Sequence, residues 1–345
     1  MRAAIFNEPG SVTVAERRDP SIAEPTDAVV RVTHACVCGS DLWYYRGDTP
    51  FEPGPIGHEF MGVVEEVGPE VEKVKKGDFV IAPFAYQDGT CPHCRHGITT
   101  ACVNGGFYPH NGDGGQGEGV RVPLADGSLF PVPGSGHSEE MLASLLSLSD
   151  VFPTGHHAAV CAGVKPGDTV AVVGDGAVGL SAVLAAKRLG AERIIALSRH
   201  ADRQQIAREF GATEIVEGRG EAATEAVTAL TDGVGVDAAL ECVGTGQSME
   251  TALAIARPGS TVGYVGVPHG VEFPVGDLFS KNKGVLGGPA PAGAYIPQLL
   301  GDVLEGRIQP GRVFDFTTDL DGVGDAYAAM DERRSTKSLL QVSSI

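Results

Sequence analysis

Three stretches of differing hydrophobic period predict an α/β chain of two domains. A β-rich, barrel-like domain is expected over 1–150, completed by about 290–345, and a doubly wound parallel sheet over 151–289. From residue 1 to about 150 short β-type runs (AAIF, VTVA, AVVRVTHA, FMGVVEEVG, FVIAP) alternate with turn clusters such as NEPG, KKGD and DGTCP. The Phe152-Pro153-Thr154-Gly155 segment reads as the turn that opens the second domain. At Thr169–Val173 the apolar run becomes continuous, as in a strand covered on both faces. A glycine-rich turn follows, then a helix that Gly190 can cap. RIIAL, EIV, DAALE and STVGYVGV continue as strands, with helical patterns near 201–210, 221–231 and 247–256. Strands alternating with helices imply right-handed crossovers and a parallel sheet. Beyond about 290 the chain reads as a helix around IPQLLGDVLEG, a β-like VFDFTT, a helix near 322–333 and a last strand SLLQVS, expected to pack on the first part.

Composition excludes several classes. The 26 Lys+Arg against 44 Asp+Glu leave a net charge of −18, which repels phosphate backbones and argues against a nucleic-acid partner. The amino-terminal MRAAIFNEPG lacks the apolar run of a signal peptide. The most apolar stretch, 169–186, is broken by Gly174, Asp175, Gly176 and Gly179, short of the roughly 20 apolar residues a bilayer span needs. A cytoplasmic protein with no membrane association is expected. Glycine supplies 48 of 345 residues, about twice ordinary usage, so the backbone makes many tight turns or close approaches.

The turn after TVAVV reads Gly174-Asp175-Gly176-Ala177-Val178-Gly179, a G-x-G-x-x-G between strand and helix. Gly174 permits the sharp turn, Gly176 admits a pyrophosphate to the backbone, and Gly179 lets the helix pack on the strand. The helix amino end offers free N–H groups to the anion. Dinucleotide binding follows. The second strand ends in Ser198-Arg199-His200, with Arg203 beyond, where an NAD site places an acid for the ribose hydroxyls. A hydroxyl and a guanidinium suit a 2′-phosphate instead, so NADP(H) is expected.

Seven cysteines stand at 36, 38, 91, 94, 102, 161 and 242, and their short spacings point to metal before disulfides. Cys38-Gly39-Ser40-Asp41, then His58-Glu59, then Asp150 bring thiolate, imidazole and carboxylates, the ligand types of a zinc that keeps one exchangeable position. Asp88, Cys91, Cys94 and Cys102 lie in a loop dense in turn residues, where a structural zinc replaces the core the loop lacks. His93 and His96 are nearby alternatives to Asp88.

With these motifs, GDGAVG and the VGVP at 265–268, the whole chain resembles the zinc-dependent alcohol dehydrogenases of the medium-chain dehydrogenase/reductase superfamily. The resemblance implies a GroES-like catalytic domain and a Rossmann cofactor domain. It implies that Cys38, His58, Glu59 and Asp150 hold a catalytic Zn²⁺, with Glu59 an intermittent ligand. Asp41 would orient His58, and Ser40 would exchange a proton with the substrate alcohol. Val265, Gly266 and Val267 join the cofactor residues, and a homo-dimer or homo-tetramer built through an edge of the cofactor-domain sheet is implied. The substrate would be a small or medium alcohol, ketone or aldehyde, with Ser40, Trp43, Phe84, Tyr108 and residues near 289–295 as the pocket wall.

Two departures stand out. Asp88 occupies the place of the family's first lobe cysteine, and Trp43 replaces a histidine that passes the proton outward in many relatives. Indole has no titratable proton near neutrality, so His34, His157 or the ribose and water would have to serve. The rival readings are a zinc polyol or sugar dehydrogenase, a zinc-free quinone or enoyl reductase on the same fold, and a non-catalytic nucleotide-binding protein.

Overall fold

A computed structural model describes residues 1–110 and 113–344. The chain divides into two compact units, Met1–Asp150 with Pro291–Ile345, and Val151–Ala290.

In the first unit the strand Ala28–Cys36, nine residues long, is rich in β-branched residues and almost wholly buried. It lies antiparallel to Glu59–Val67, with Cys36 opposite Glu59, and to Ser338–Gln341, with Cys36 opposite Leu339. The carboxyl-terminal strand thus joins the amino-terminal sheet. The sheet runs Phe130–Pro131, Phe79–Ala82, Glu59–Val67, Ala28–Cys36, Ser338–Gln341, Phe316–Asp319, and Gly119–Val122 also pairs with Ala28–Cys36. Val30, Val32, Phe60, Val80, Val120 and Tyr327 form part of the core it encloses. A short ribbon, Ala85–Tyr86 against Gly106–Phe107, brackets the loop that holds Cys91, Cys94 and Cys102.

The second unit is a six-stranded sheet ordered Glu214–Val216, Arg193–Leu197, Thr169–Val173, Val236–Glu241, Ala256–Tyr264, Gly284–Gly287, with every pair parallel. Thr169–Val173 sits between the second strand and Val236–Glu241, where the order reverses, and ligands of such sheets bind beyond the carboxyl ends at that point. The helix Ala177–Arg188 ends as expected, with Gly190 at φ +94° closing onto Lys187.

The expected turn at Phe152-Pro153-Thr154-Gly155 is instead part of a helix, Val151–Cys161. Pro153 stands in its first turn, where no N–H is needed for the ladder. Gly155 marks a close approach: a Cβ there would lie 2.5 Å from the Ala182 nitrogen on Ala177–Arg188. No helix among the described residues is long and apolar enough to cross a membrane.

Candidate active site, metal centres and nucleotide cradle

Cys38 follows the strand Ala28–Cys36, and Glu59 opens the strand paired with it, so the sheet register brings them together. His58 precedes Glu59 after Gly57, whose φ of +88° turns the chain in. The ligand atoms of Cys38, His58 and Glu59 all lie within 4.8 Å of one another. Asp150 Oδ2 is 3.7 Å from Cys38 Sγ and 3.4 Å from His58 Nε2. On the other side of the ring, His58 Nδ1 is 3.3 Å from Asp41 Oδ1. Asp41 is fixed in turn by the Cys38 N–H, at 3.0 Å, and by Gln116 Nε2, at 3.4 Å, while Gln116 Oε1 accepts from the Tyr327 hydroxyl at 3.0 Å.

Electrostatically this cluster is arranged for a cation. Burial pushes the Cys38 thiol up, and Glu59 and Asp150 add to it. Burial also raises the Glu59 carboxyl, against the pull of Lys337. For His58 burial opposes the charged ring, but Asp41, Cys38 and Asp150 hold it well above the usual imidazole range. Glu59 Oε1 is buried with no hydrogen-bond partner. One sulfur, one imidazole nitrogen and two carboxylates around an orphaned oxygen fit a divalent metal of the zinc type.

Sequence reasoning missed Lys337. Its Nζ lies 2.6 Å from Glu59 Oε2 and 3.2 Å from the Val37 carbonyl, with side-chain exposures of 2% for Lys337 and 0% for Glu59. Cys36 Sγ donates to the same Glu59 oxygen at 2.9 Å. Asp315 accepts from Ser335 Oγ and the Thr336 N–H, setting the turn that delivers Lys337. The pairing spans 278 residues, so no local pattern reveals it.

Ser40 starts the helix Asp41–Arg46 without using its hydroxyl as a cap. Trp43 is half-buried on that helix. Phe84 lies edge-on to His58 at 6.3 Å between ring centroids and 5.9 Å from Phe107, which was not anticipated. Tyr108, expected in the pocket wall, is a core residue, 3% exposed and packed on Phe60 and Tyr86. His34 is buried beside Thr33, 3.1 Å from its hydroxyl, and His157 lies on Val151–Cys161, 3.5 Å from Cys161 Sγ. A titratable pair that sequence reading missed lies next to Trp43: the Tyr44 hydroxyl is 3.2 Å from His110 Nε2.

The second cluster gathers Asp88, Cys91, Cys94 and Cys102, with ligand atoms within 4.8 Å of one another. Asp88 Oδ1 accepts from the Thr90 and Cys91 N–H groups and Oδ2 from Asn104 Nδ2. Against its burial, these bonds hold the carboxyl well below its ordinary range. Burial and the hydrogen bonds with Cys91 and Cys102 push the Cys94 thiol up to about 12. Three sulfurs crowded on an ionised carboxylate again fit a metal. His96 Nδ1 is turned to the Pro92 carbonyl, at 2.7 Å.

In the second unit the glycine-rich turn has the shape a pyrophosphate requires. Gly174 has φ +118°. A Cβ at Gly176 would meet nothing within 4 Å, whereas one at Gly179 would lie 2.0 Å from the Gly174 carbonyl. No side chain caps the helix that starts at Ala177, so Ala177, Val178 and Gly179 present their N–H groups. Ser198 and Arg199 follow the second strand, and His200 is the cap residue of Ala201–Phe210, which carries Arg203. Ser198 Oγ donates to Asp175 Oδ2 at 2.9 Å, the Arg199 N–H does so at 3.3 Å, and Arg203 Nη1 is 3.3 Å from Asp175 Oδ1. Val265, Gly266 and Val267 follow the fifth strand. The Val265 N–H bonds the Glu241 carbonyl at 2.9 Å, and a Cβ at Gly266 would lie 2.1 Å from the Gly244 nitrogen.

Comparison with known proteins agrees with this geometry. The alcohol dehydrogenase GroES-like domain matches residues 24–134 and the zinc-binding dehydrogenase family matches residues 177–301. A probable zinc-binding alcohol dehydrogenase of Mycobacterium tuberculosis is 36% identical over 338 residues, 96% of this chain and 86% of that one. Zinc-type alcohol dehydrogenase B of Aspergillus flavus is 36% identical over 316 residues, 88% of this chain and 72% of that one. Among solved structures, the alcohol dehydrogenase of Thermus sp. ATN1 superposes with a TM-score of 0.91 at 35% identity, covering 99% of this chain and all of that one. With these matches over both units, this protein belongs to the zinc-dependent alcohol dehydrogenases of the medium-chain dehydrogenase/reductase superfamily.

Proposed function

We propose that this alcohol dehydrogenase prefers NADP(H) and interconverts a small or medium apolar alcohol with its ketone or aldehyde, carbonyl reduction being the working direction. The observation that carries the cofactor choice is the end of the second strand. It presents an exposed Arg199 guanidinium without a protein partner among the described residues, and none of the residues that follow the strand, Ser198-Arg199-His200, is an acid. Phe84 beside His58, Phe107 against Phe84, and Trp43 on the helix that follows Cys38 favour an apolar substrate over a sugar.

Cys38, His58, Glu59 and Asp150 hold the catalytic metal in this reading. Zinc bound there supplies Lewis acidity toward an alcohol or carbonyl oxygen, while a nicotinamide supplies or takes up the hydride. Asp41 Oδ1, 3.3 Å from His58 Nδ1, is placed to accept that nitrogen's hydrogen and leave Nε2 toward the metal side. Ser40, its hydroxyl not used to cap the helix it starts, moves the proton to or from the substrate oxygen. Asp88, Cys91, Cys94 and Cys102 hold a second zinc that stabilises their loop.

Among the described residues the strand Gly284–Gly287 pairs on one side only, and Leu286 on it and Phe279 on the preceding helix are 57% and 86% exposed. An unpaired apolar edge supports a homo-dimer or homo-tetramer joined there. The cofactor assignment is tested by kcat/KM with NADPH and NADH. Arg199→Asp shifts the preference toward NADH, and an unaltered ratio would refute the assignment.

A further inference from the structure

Asp175, second residue of the glycine-rich turn, is the acid that the end of the second strand lacks. The parallel register that sets Val173 beside Leu197 brings the turn after one strand against the residues after the other. As a result the Asp175 carboxylate takes three donors: Ser198 Oγ at 2.9 Å and the Arg199 N–H at 3.3 Å on Oδ2, and Arg203 Nη1 at 3.3 Å on Oδ1. The Asp175 and Arg203 side chains are 18% and 14% exposed, so the ion pair is largely shielded from water.

Each hydroxyl and each N–H carries one proton. A 2′-phosphate that sought Ser198 and the Arg199 N–H would compete with Asp175 for the same two hydrogens, and would approach a carboxylate of its own sign. A ribose 2′-hydroxyl brings its own proton, which Asp175 accepts on a remaining lone pair. The Arg199 guanidinium, exposed and without a protein partner among the described residues, is left to meet a phosphate.

We propose that Asp175 is a specificity-determining residue that admits NAD(H) to this site and holds down its NADP(H) preference by occupying Ser198, the Arg199 N–H and Arg203. This rests on the NADP(H) reading above, and it splits that reading between two side chains of opposite effect: Arg199 draws the phosphate and Asp175 limits it. A carboxylate and a phosphate that compete for the same donors in a partly shielded site repel strongly enough that removing the carboxylate alters relative affinity by roughly tenfold or more.

The test needs no turnover. Adenosine 2′,5′-bisphosphate and 5′-AMP are titrated calorimetrically into wild type, Asp175→Asn, Asp175→Ala and Arg199→Ala. Both Asp175 variants should raise the bisphosphate-to-AMP affinity ratio at least about tenfold; the alanine guards against the new amide acting as a donor. A ratio that both Asp175 variants leave unaltered or lower overturns the inference, and if Arg199→Ala lowers the wild-type ratio in the same series the NADP(H) reading stands without it. A wild-type ratio at or below one that neither Arg199→Ala nor the Asp175 variants change overturns both.

Discussion

Lys337→Met removes the one cation bonded to Glu59 among the described residues while keeping roughly the length of the side chain. Lys337 Nζ sits 2.6 Å from Glu59 Oε2, both side chains essentially inaccessible, and Glu59 Oε1 has no partner. Breaking one partner of a buried pair costs about 3–5 kcal/mol, because the remaining charge is left without compensation. For a unit of this size that lowers the melting temperature by roughly 6–20 °C. The loss depends on pH with a definite sign. The folded Glu59 carboxyl already titrates above its ordinary 4.5, and without Lys337 it rises further. A raised folded value contributes stability below the unfolded value that is lost as pH rises through the folded one. The defect of Lys337→Met is therefore small at pH 5 and grows toward pH 8. Differential scanning fluorimetry on chelator-treated protein across that range reads it. Glu59→Gln in the same chain removes the charge that suffers and should restore most of the lost stability at pH 8. A melting temperature within about 2 °C of wild type, or a double variant no more stable than Lys337→Met, would refute the reasoning.

The sequence carried the elements whose signal is local. TVAVV is the strand of the parallel sheet on which the helices Ala177–Arg188 and Gly246–Ile255 pack, and a strand whose faces are covered by helices has no polar face to alternate. The glycine spacing of the turn and the Cys91/Cys94/Cys102 run are short-range patterns, and the structure gathers each into a compact cluster. What escaped was of two kinds. The helix Val151–Cys161 was hidden by Pro153 and Gly155, residues that break helices in general but here fill a first turn and a close helix contact. The strand Gly284–Gly287 is four residues long with glycine at both ends, below any periodic signal. The site's supporting residues escaped because register creates them. Lys337 reaches Glu59 only through the pairing of Ser338–Gln341 with Ala28–Cys36 and of that strand with Glu59–Val67. Likewise Asp175 was visible within the motif, yet its hold on Ser198 follows from one parallel register that the letters do not state.

Zinc measured by elemental analysis should be near two per chain. Cys38→Ser removes one equivalent and abolishes turnover, while Asp88→Ala removes the other and leaves initial turnover largely intact; full activity in Cys38→Ser would exclude the first cluster. Leu286→Lys places a charge on the one-sided edge strand and should lower the mass measured by light scattering, an unaltered mass placing the contact elsewhere. The two motif glycines separate binding from folding. Gly176→Ala adds a methyl where nothing lies within 4 Å, so its melting temperature should stay within about 2 °C of wild type. If the pyrophosphate takes that open space, the methyl obstructs it and calorimetric affinity for the dinucleotide should fall roughly tenfold or more. Gly179→Ala drives its methyl to 2.0 Å from the Gly174 carbonyl, forcing the helix off the turn, and it loses stability even without nucleotide. If Gly176→Ala bound the dinucleotide as wild type does, the open space over the turn would not be where the phosphates go.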